Sequence, residues 1–124
     1  MNRPFKFLVL AVFATVLLAG CYNDNEEDLY PQTPDCDLTN VTYSATIAPI
    51  MATSCNGCHG AASASGGVIT ETYDGLKAIA SSGKLYGAVS HASGYSPMPQ
   101  GGSKLSQCAI DKIKTWVDAG APNN

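Results

Sequence analysis

The chain has 124 residues and a formal net charge of −3 at pH 7, from seven basic and ten acidic residues. This length is enough for one domain once a targeting segment has been removed. Six of the acidic residues precede residue 40, whereas five lysines oppose four carboxylates from Val41 onward. The second part is therefore close to neutral, and no basic patch indicates binding to nucleic acid.

The first twenty residues have the pattern of an export signal. Arg3 and Lys6 precede an apolar run over 7–18. This run is shorter than the roughly 20 residues that a bilayer span needs. The following Leu18-Ala19-Gly20-Cys21 resembles the lipobox of bacterial lipoproteins, in which the cysteine is lipidated and becomes the first mature residue. An ordinary signal peptide with Cys21 as a spare thiol is the alternative.

The chain is thus divided into a lipoprotein signal peptide over 1–20, a tether over 21–35 and a domain over 36–124. The tether is predicted to be flexible because it is polar and acidic and contains Pro31 and Pro34. We expect an exported protein, lipid-anchored to the periplasmic or cell-surface side of a bacterial membrane.

Four short helices are predicted in the domain, and no alternating strand pattern is present, so the fold class is all-α. Ser44 or Thr46 is expected to cap the first helix, which carries Pro49 in its first turn. Its apolar stripe continues as far as Cys55 and Cys58, so both thiols are predicted on the buried face of one helix.

The other three helices have their own start and stop signals. The second is predicted from Thr70 or Thr72 to near Gly83, the third around Leu85 and Val89 with Gly94 closing it, and the last from Ser106 to Gly120. Two prolines and two glycines exclude a helix over 95–102.

Cys55-Asn56-Gly57-Cys58-His59 is the attachment motif of c-type haem. Its spacing puts two thiols one helical turn apart, where both can add to the vinyl groups of one porphyrin. The adjacent His59 can then bind the iron as its proximal axial ligand. The sequence therefore predicts one covalently bound haem c.

Three other interpretations of this motif are open. A thioredoxin-like dithiol would require a βαβ framework, for which no strand pattern exists. A zinc site formed by Cys55, Cys58, His59 and His91 lacks the second well-separated ligand pair that structural zinc sites use. Cys55 and Cys58 could also form a disulfide with each other.

Met98 is the candidate for the second axial ligand of the iron. It lies between Pro97 and Pro99, which restrict the backbone, so little entropy is lost when its thioether is presented. Met51 would have to reach around the porphyrin from the cysteine-bearing helix. His91 is the rival ligand, and its other possible partners are a haem propionate or a loop carbonyl.

Two cysteines remain after the lipid and the haem are assigned. Cys36 and Cys108 are expected to form a disulfide, because an exported protein lies in an oxidising compartment. Two free buried thiols are the alternative.

The domain resembles the small, class I-like mono-haem cytochromes c, in the lipoprotein form found in Bacteroidetes. The resemblance extends over 36–124 and is carried by the haem motif and Pro97-Met98-Pro99, with softer matches over 41–50 and in Trp116-Val117-Asp118-Ala119-Gly120-Ala121-Pro122. It implies crossing first and last helices, an exposed haem edge and a firm anchor of several acyl chains.

These features predict an electron-transfer protein that is not an enzyme, since an iron with both axial positions filled leaves no site for a substrate. Its expected partners are redox proteins of a respiratory chain and, through the anchor, a membrane. The alternative is a haem-based sensor or haem enzyme module in which the sixth ligand is labile.

Overall fold

The structure, a computed structural model, describes residues 36–124. The predicted signal peptide over 1–20, the lipidation site Cys21 and the tether over 21–35 lie outside the described residues. Residues 36–124 form helices and no β-strand, which agrees with the predicted all-α class. Nowhere in this range is there a helix long and apolar enough to cross a membrane.

The described residues contain five α-helices, one π-helical turn and one 3-10 turn, joined by loops. In order they are a π-helical turn (Tyr43–Ile47), α1 (Ala48–Ser54), α2 (Asn56–His59), a 3-10 turn (Ser65–Gly67), α3 (Tyr73–Ser81), α4 (Lys84–Val89) and α5 (Gln107–Asp118).

Side-chain caps start three of these segments. Thr72 and Ser106 cap α3 and α5 as predicted, because their hydroxyl oxygens accept from the N–H groups of residues 75 and 109. The predicted caps of the first helix were wrong. Thr42 caps it, in an extended backbone conformation, and accepts from the Ala45 N–H at 3.2 Å.

The first helix is not continuous through the cysteines, which corrects the prediction of a single helix. Cys55 has φ −128° and separates α1 from the four-residue α2. Asn56 and Gly57 follow immediately, and both are poor helix formers. The backbone therefore turns at Cys55 and starts a new helical turn there, with the His59 N–H donating to the Cys55 carbonyl at 2.9 Å.

Trp116 lies at the centre of the core and has no exposed surface. Its indole N–H donates to the Pro122 carbonyl at 2.9 Å, and its ring stacks on Tyr43 with the centroids 6.0 Å apart. The Tyr73 hydroxyl donates to the Ala121 carbonyl. These contacts hold together the π-helical turn, α3, α5 and the segment after α5. The other large, fully buried side chains are Ile47, Met51, Leu76, Ile110 and Ile113.

A disulfide joins Cys36 to Cys108, with the two Cα atoms 5.5 Å apart. This confirms the pairing expected from the cysteine count and excludes two free thiols. Cys108 lies in the first turn of α5, so the bond ties the start of the described chain to that helix.

Replacing both Cys36 and Cys108 by alanine is expected to lower the free energy of unfolding by about 2 to 4 kcal/mol. The two cysteines are separated by 72 positions in the sequence, so they close a long loop, and the cross-link removes its closure entropy from the unfolded chain. Urea denaturation of the double variant and of the oxidised parent measures the difference. The parent with reductant is the control and should unfold with the variant; equal midpoints for variant and oxidised parent would contradict the prediction.

Candidate functional site

The position of α2 is set by Thr70, a residue from the segment before α3. Its backbone N–H donates to the His59 carbonyl at 2.8 Å, and its hydroxyl donates to Asn56 Oδ1 at 2.8 Å. Thr70 itself is buried, with 4% of its surface exposed. Both ends of α2 are therefore held by one residue, in a setting where water competes little for the hydrogen bonds.

The chain can leave α2 at this angle only because residue 60 is glycine. A Cβ atom at Gly60 would lie 2.7 Å from the Asn56 carbonyl oxygen, which is inside contact distance. The next residue, Ala61, donates its N–H to Glu71 Oε2 at 2.6 Å. The loop after the haem motif is thus fastened to the same segment, over 70–71, that holds α2.

The four predicted haem-binding residues lie around adjoining cavities. Cys55, Cys58, His59 and Met98 line a cavity of about 330 Å³. A second cavity of about 360 Å³ shares Cys55, His59, Met98 and Val89 with the first. The walls of both are mainly apolar, as is usual for sites that bind cofactors.

The two motif cysteines are not bonded to each other, so the alternative of a disulfide between them is not realised. Cys58 is exposed and Cys55 is half-buried. Burial raises the pKa of the Cys55 thiol, because the charged thiolate is poorly solvated there. Catalytic dithiols need the opposite, a thiolate stabilised at neutral pH.

His59 contains a buried polar atom without a partner. Its Nδ1 has no hydrogen bond within 36–124, although the ring lines both cavities. A buried polar atom left unpaired in this way costs about 1 to 3 kcal/mol.

The part of the chain that the structure describes contains no set of side chains that could bind zinc. Within it, no three side chains of His, Cys, Asp or Glu are grouped so that they could hold a metal ion. His91 is exposed and is not among the residues that line the two cavities.

Met98 reaches the cavities from the irregular segment after α4. Its N–H donates to the Ala88 carbonyl at 3.1 Å, and its own carbonyl accepts from His91 Nε2 at 2.9 Å. The same segment lies against α4 through Tyr95. A Cβ atom at Gly87 would come within 2.5 Å of that ring, so only glycine permits this approach.

Sequence reasoning missed the supporting residues Thr70, Glu71, Gly87 and Val89. The sequence indicates Thr70 only as a possible helix cap, and it predicts no role at the site for the other three. No local signal distinguishes Thr70 and Glu71, because their hydrogen-bond partners Asn56 and Ala61 lie ten or more residues away in the chain.

Comparisons with protein-family models, with curated proteins and with solved structures found no match to this chain. Its function must therefore be inferred from its own residues.

Alkylation of the protein without a bound group is expected to modify Cys58 several-fold faster than Cys55. Cys58 is accessible, whereas Cys55 is half-buried and its raised pKa reduces the reactive thiolate at neutral pH. Peptide mass spectrometry after timed iodoacetamide treatment measures both rates. The Cys36–Cys108 disulfide should stay unmodified and serves as the control. Faster modification of Cys55 would contradict the prediction.

Proposed function

We propose that the protein is a membrane-anchored mono-haem c-type cytochrome that transfers electrons through a haem iron ligated by His59 and Met98. The observation that carries the proposal is that four chemically suited side chains, from two distant parts of the chain, line one apolar cavity. Three of them belong to the haem motif, and the fourth is the methionine held between two prolines.

Cys55 and Cys58 provide the covalent attachment. Their two thiols would hold the haem through one thioether each, formed by addition across a vinyl group with the sulfur on one vinyl carbon and the thiol proton on the other. No oxidant is needed, because the addition is redox-neutral. The free state of both thiols and their position on the wall of one cavity support this role.

His59 and Met98 are the proposed axial ligands of the iron. The residues present fit a haem, since the unpaired imidazole of His59 and the thioether of Met98 line both cavities. The bound haem supplies a one-electron couple of its iron, and the pairing of histidine with methionine raises the reduction potential relative to two histidines.

The remaining wall residues suit the porphyrin itself. Val89 and Leu85 are buried apolar side chains that exclude water from the cavity. Lys84 also lines the second cavity, and its ammonium group is complementary to a propionate carboxylate.

An iron held by both His59 and Met98 would favour a carrier over an enzyme, because it would leave no ligand position for a substrate. The proposed partners are redox proteins of a respiratory chain. A lipid on Cys21 would keep the domain at the membrane surface, and the acidic residues over 21–35 would space it from the bilayer.

Replacing Cys55 and Cys58 together by alanine is expected to abolish covalent haem in the exported protein. Haem staining after denaturing electrophoresis measures the attachment, since only a thioether-linked haem stays with the denatured chain. The matched control is the alanine pair at Cys36 and Cys108, which removes the same number of thiols and should keep the stain. Haem that stays with the denatured Cys55 and Cys58 variant would contradict the assignment.

Replacing Cys21 by serine is expected to release the protein from membranes into the soluble fraction. Serine cannot form the thioether that carries a diacylglycerol, and residues 36–124 contain no helix long and apolar enough to cross a membrane. Ultracentrifugal fractionation of cells that export the parent or the variant measures the partition. A variant that still sediments with membranes would show that Cys21 is not the anchor.

A further inference from the structure

Both backbone polar groups of Met98 are anchored at the end of α4. The Met98 N–H donates to the carbonyl of Ala88, inside the helix, and the Met98 carbonyl accepts from the ring of His91, just beyond it. Val89, one of the two residues between these anchors, is buried and lines both cavities. The thioether and this cavity wall are therefore held by one short piece of chain.

The tautomer of His91 follows from its partner. A carbonyl oxygen only accepts, so the Nε2 atom, 2.9 Å from the Met98 oxygen, must carry the proton that it donates. The bond joins a side chain to the backbone across seven residues, and it closes the loop over 91–98.

His91 adopts an unusual backbone conformation in making this bond. Its φ of +58° lies in the left-handed region, which disfavours residues that carry a Cβ atom and which glycine adopts freely. The backbone conformation at this turn would therefore suit glycine better than histidine. What histidine adds at this position is the hydrogen bond from its imidazole to the Met98 carbonyl.

We propose that His91 is a positioning residue that keeps the Met98 thioether on the iron, an inference that rests on the proposed function. The imidazole does not bind the metal itself, since it is exposed and lines neither cavity. Its hydrogen bond limits the opening of the Met98 loop. It thereby decides how often the sixth coordination position becomes free for another ligand.

The test uses the full-length, haem-loaded protein and three substitutions of His91. His91→Gly and His91→Asn both allow the left-handed backbone, but neither side chain reaches the Met98 carbonyl. His91→Gln restores an N–H donor at a similar distance from the backbone. Ser93→Ala, at an exposed position in the same loop, is the matched control, and Met98→Ala marks complete loss of the ligand.

The measured quantity is the rate at which imidazole binds to the ferric protein, together with the near-infrared band of the methionine–iron bond. The loss of one net hydrogen bond is expected to raise that rate about two- to tenfold in the glycine and asparagine variants. The glutamine variant and Ser93→Ala should keep the parent's rate, and all four should keep the band in the absence of imidazole. Thermal unfolding of each variant separates this local effect from a loss of global stability.

Two different failures can be told apart. A parent protein without covalent haem, or with a near-infrared band that survives Met98→Ala, would refute the proposed function. A parent with haem and a methionine band, whose glycine and asparagine variants bind imidazole at the parent's rate, would refute only the role of His91. A low-spin parent without a methionine band, whose low-spin spectrum is lost in those variants, would instead identify His91 as a ligand and would also overturn the proposal.

Discussion

The hydrogen bonds from Thr70 to Asn56 and His59 are the constraint on which the site depends. The helix α2 has only four residues, and so short a helix is not stable in water by itself. Thr70 holds its first residue through the side chain of Asn56 and its last through the His59 carbonyl. Since the thiols and the imidazole extend from this one turn, their relative placement is determined by a tertiary contact.

Another part of the cavity wall is also held in place by a tertiary contact. There the short helix α4 supports an irregular loop. Gly87 allows the Tyr95 ring to approach, and Ala88 and His91 bond to the backbone of Met98. Both walls thus consist of a weakly structured segment that carries the chemical groups and a neighbouring segment that holds it in place.

Much of the local structure could be predicted because its signals lie close together in the chain. The caps Thr72 and Ser106 act on N–H groups three residues away, and the apolar spacing of α5 brings Ile113 and Trp116 to one buried face. The prediction failed where local preferences compete. Thr42, with its extended backbone, caps the first helix in place of Ser44 or Thr46, and the turn at Cys55 divides a stripe that looked continuous.

The sequence by itself determined the all-α class, the positions of α3 and α5, the pairing of Cys36 with Cys108, and the residue types that suit a haem. Those properties follow from the spacing of apolar residues, from helix-capping preferences and from the cysteine count. None of these depends on which distant residues become neighbours in the fold. Only the tertiary structure decided that His59 has a buried unpaired nitrogen, that Met98 lines the same cavities and that His91 bonds to the Met98 carbonyl. Such contacts depend on how separate segments pack, and a linear pattern carries no information on that packing.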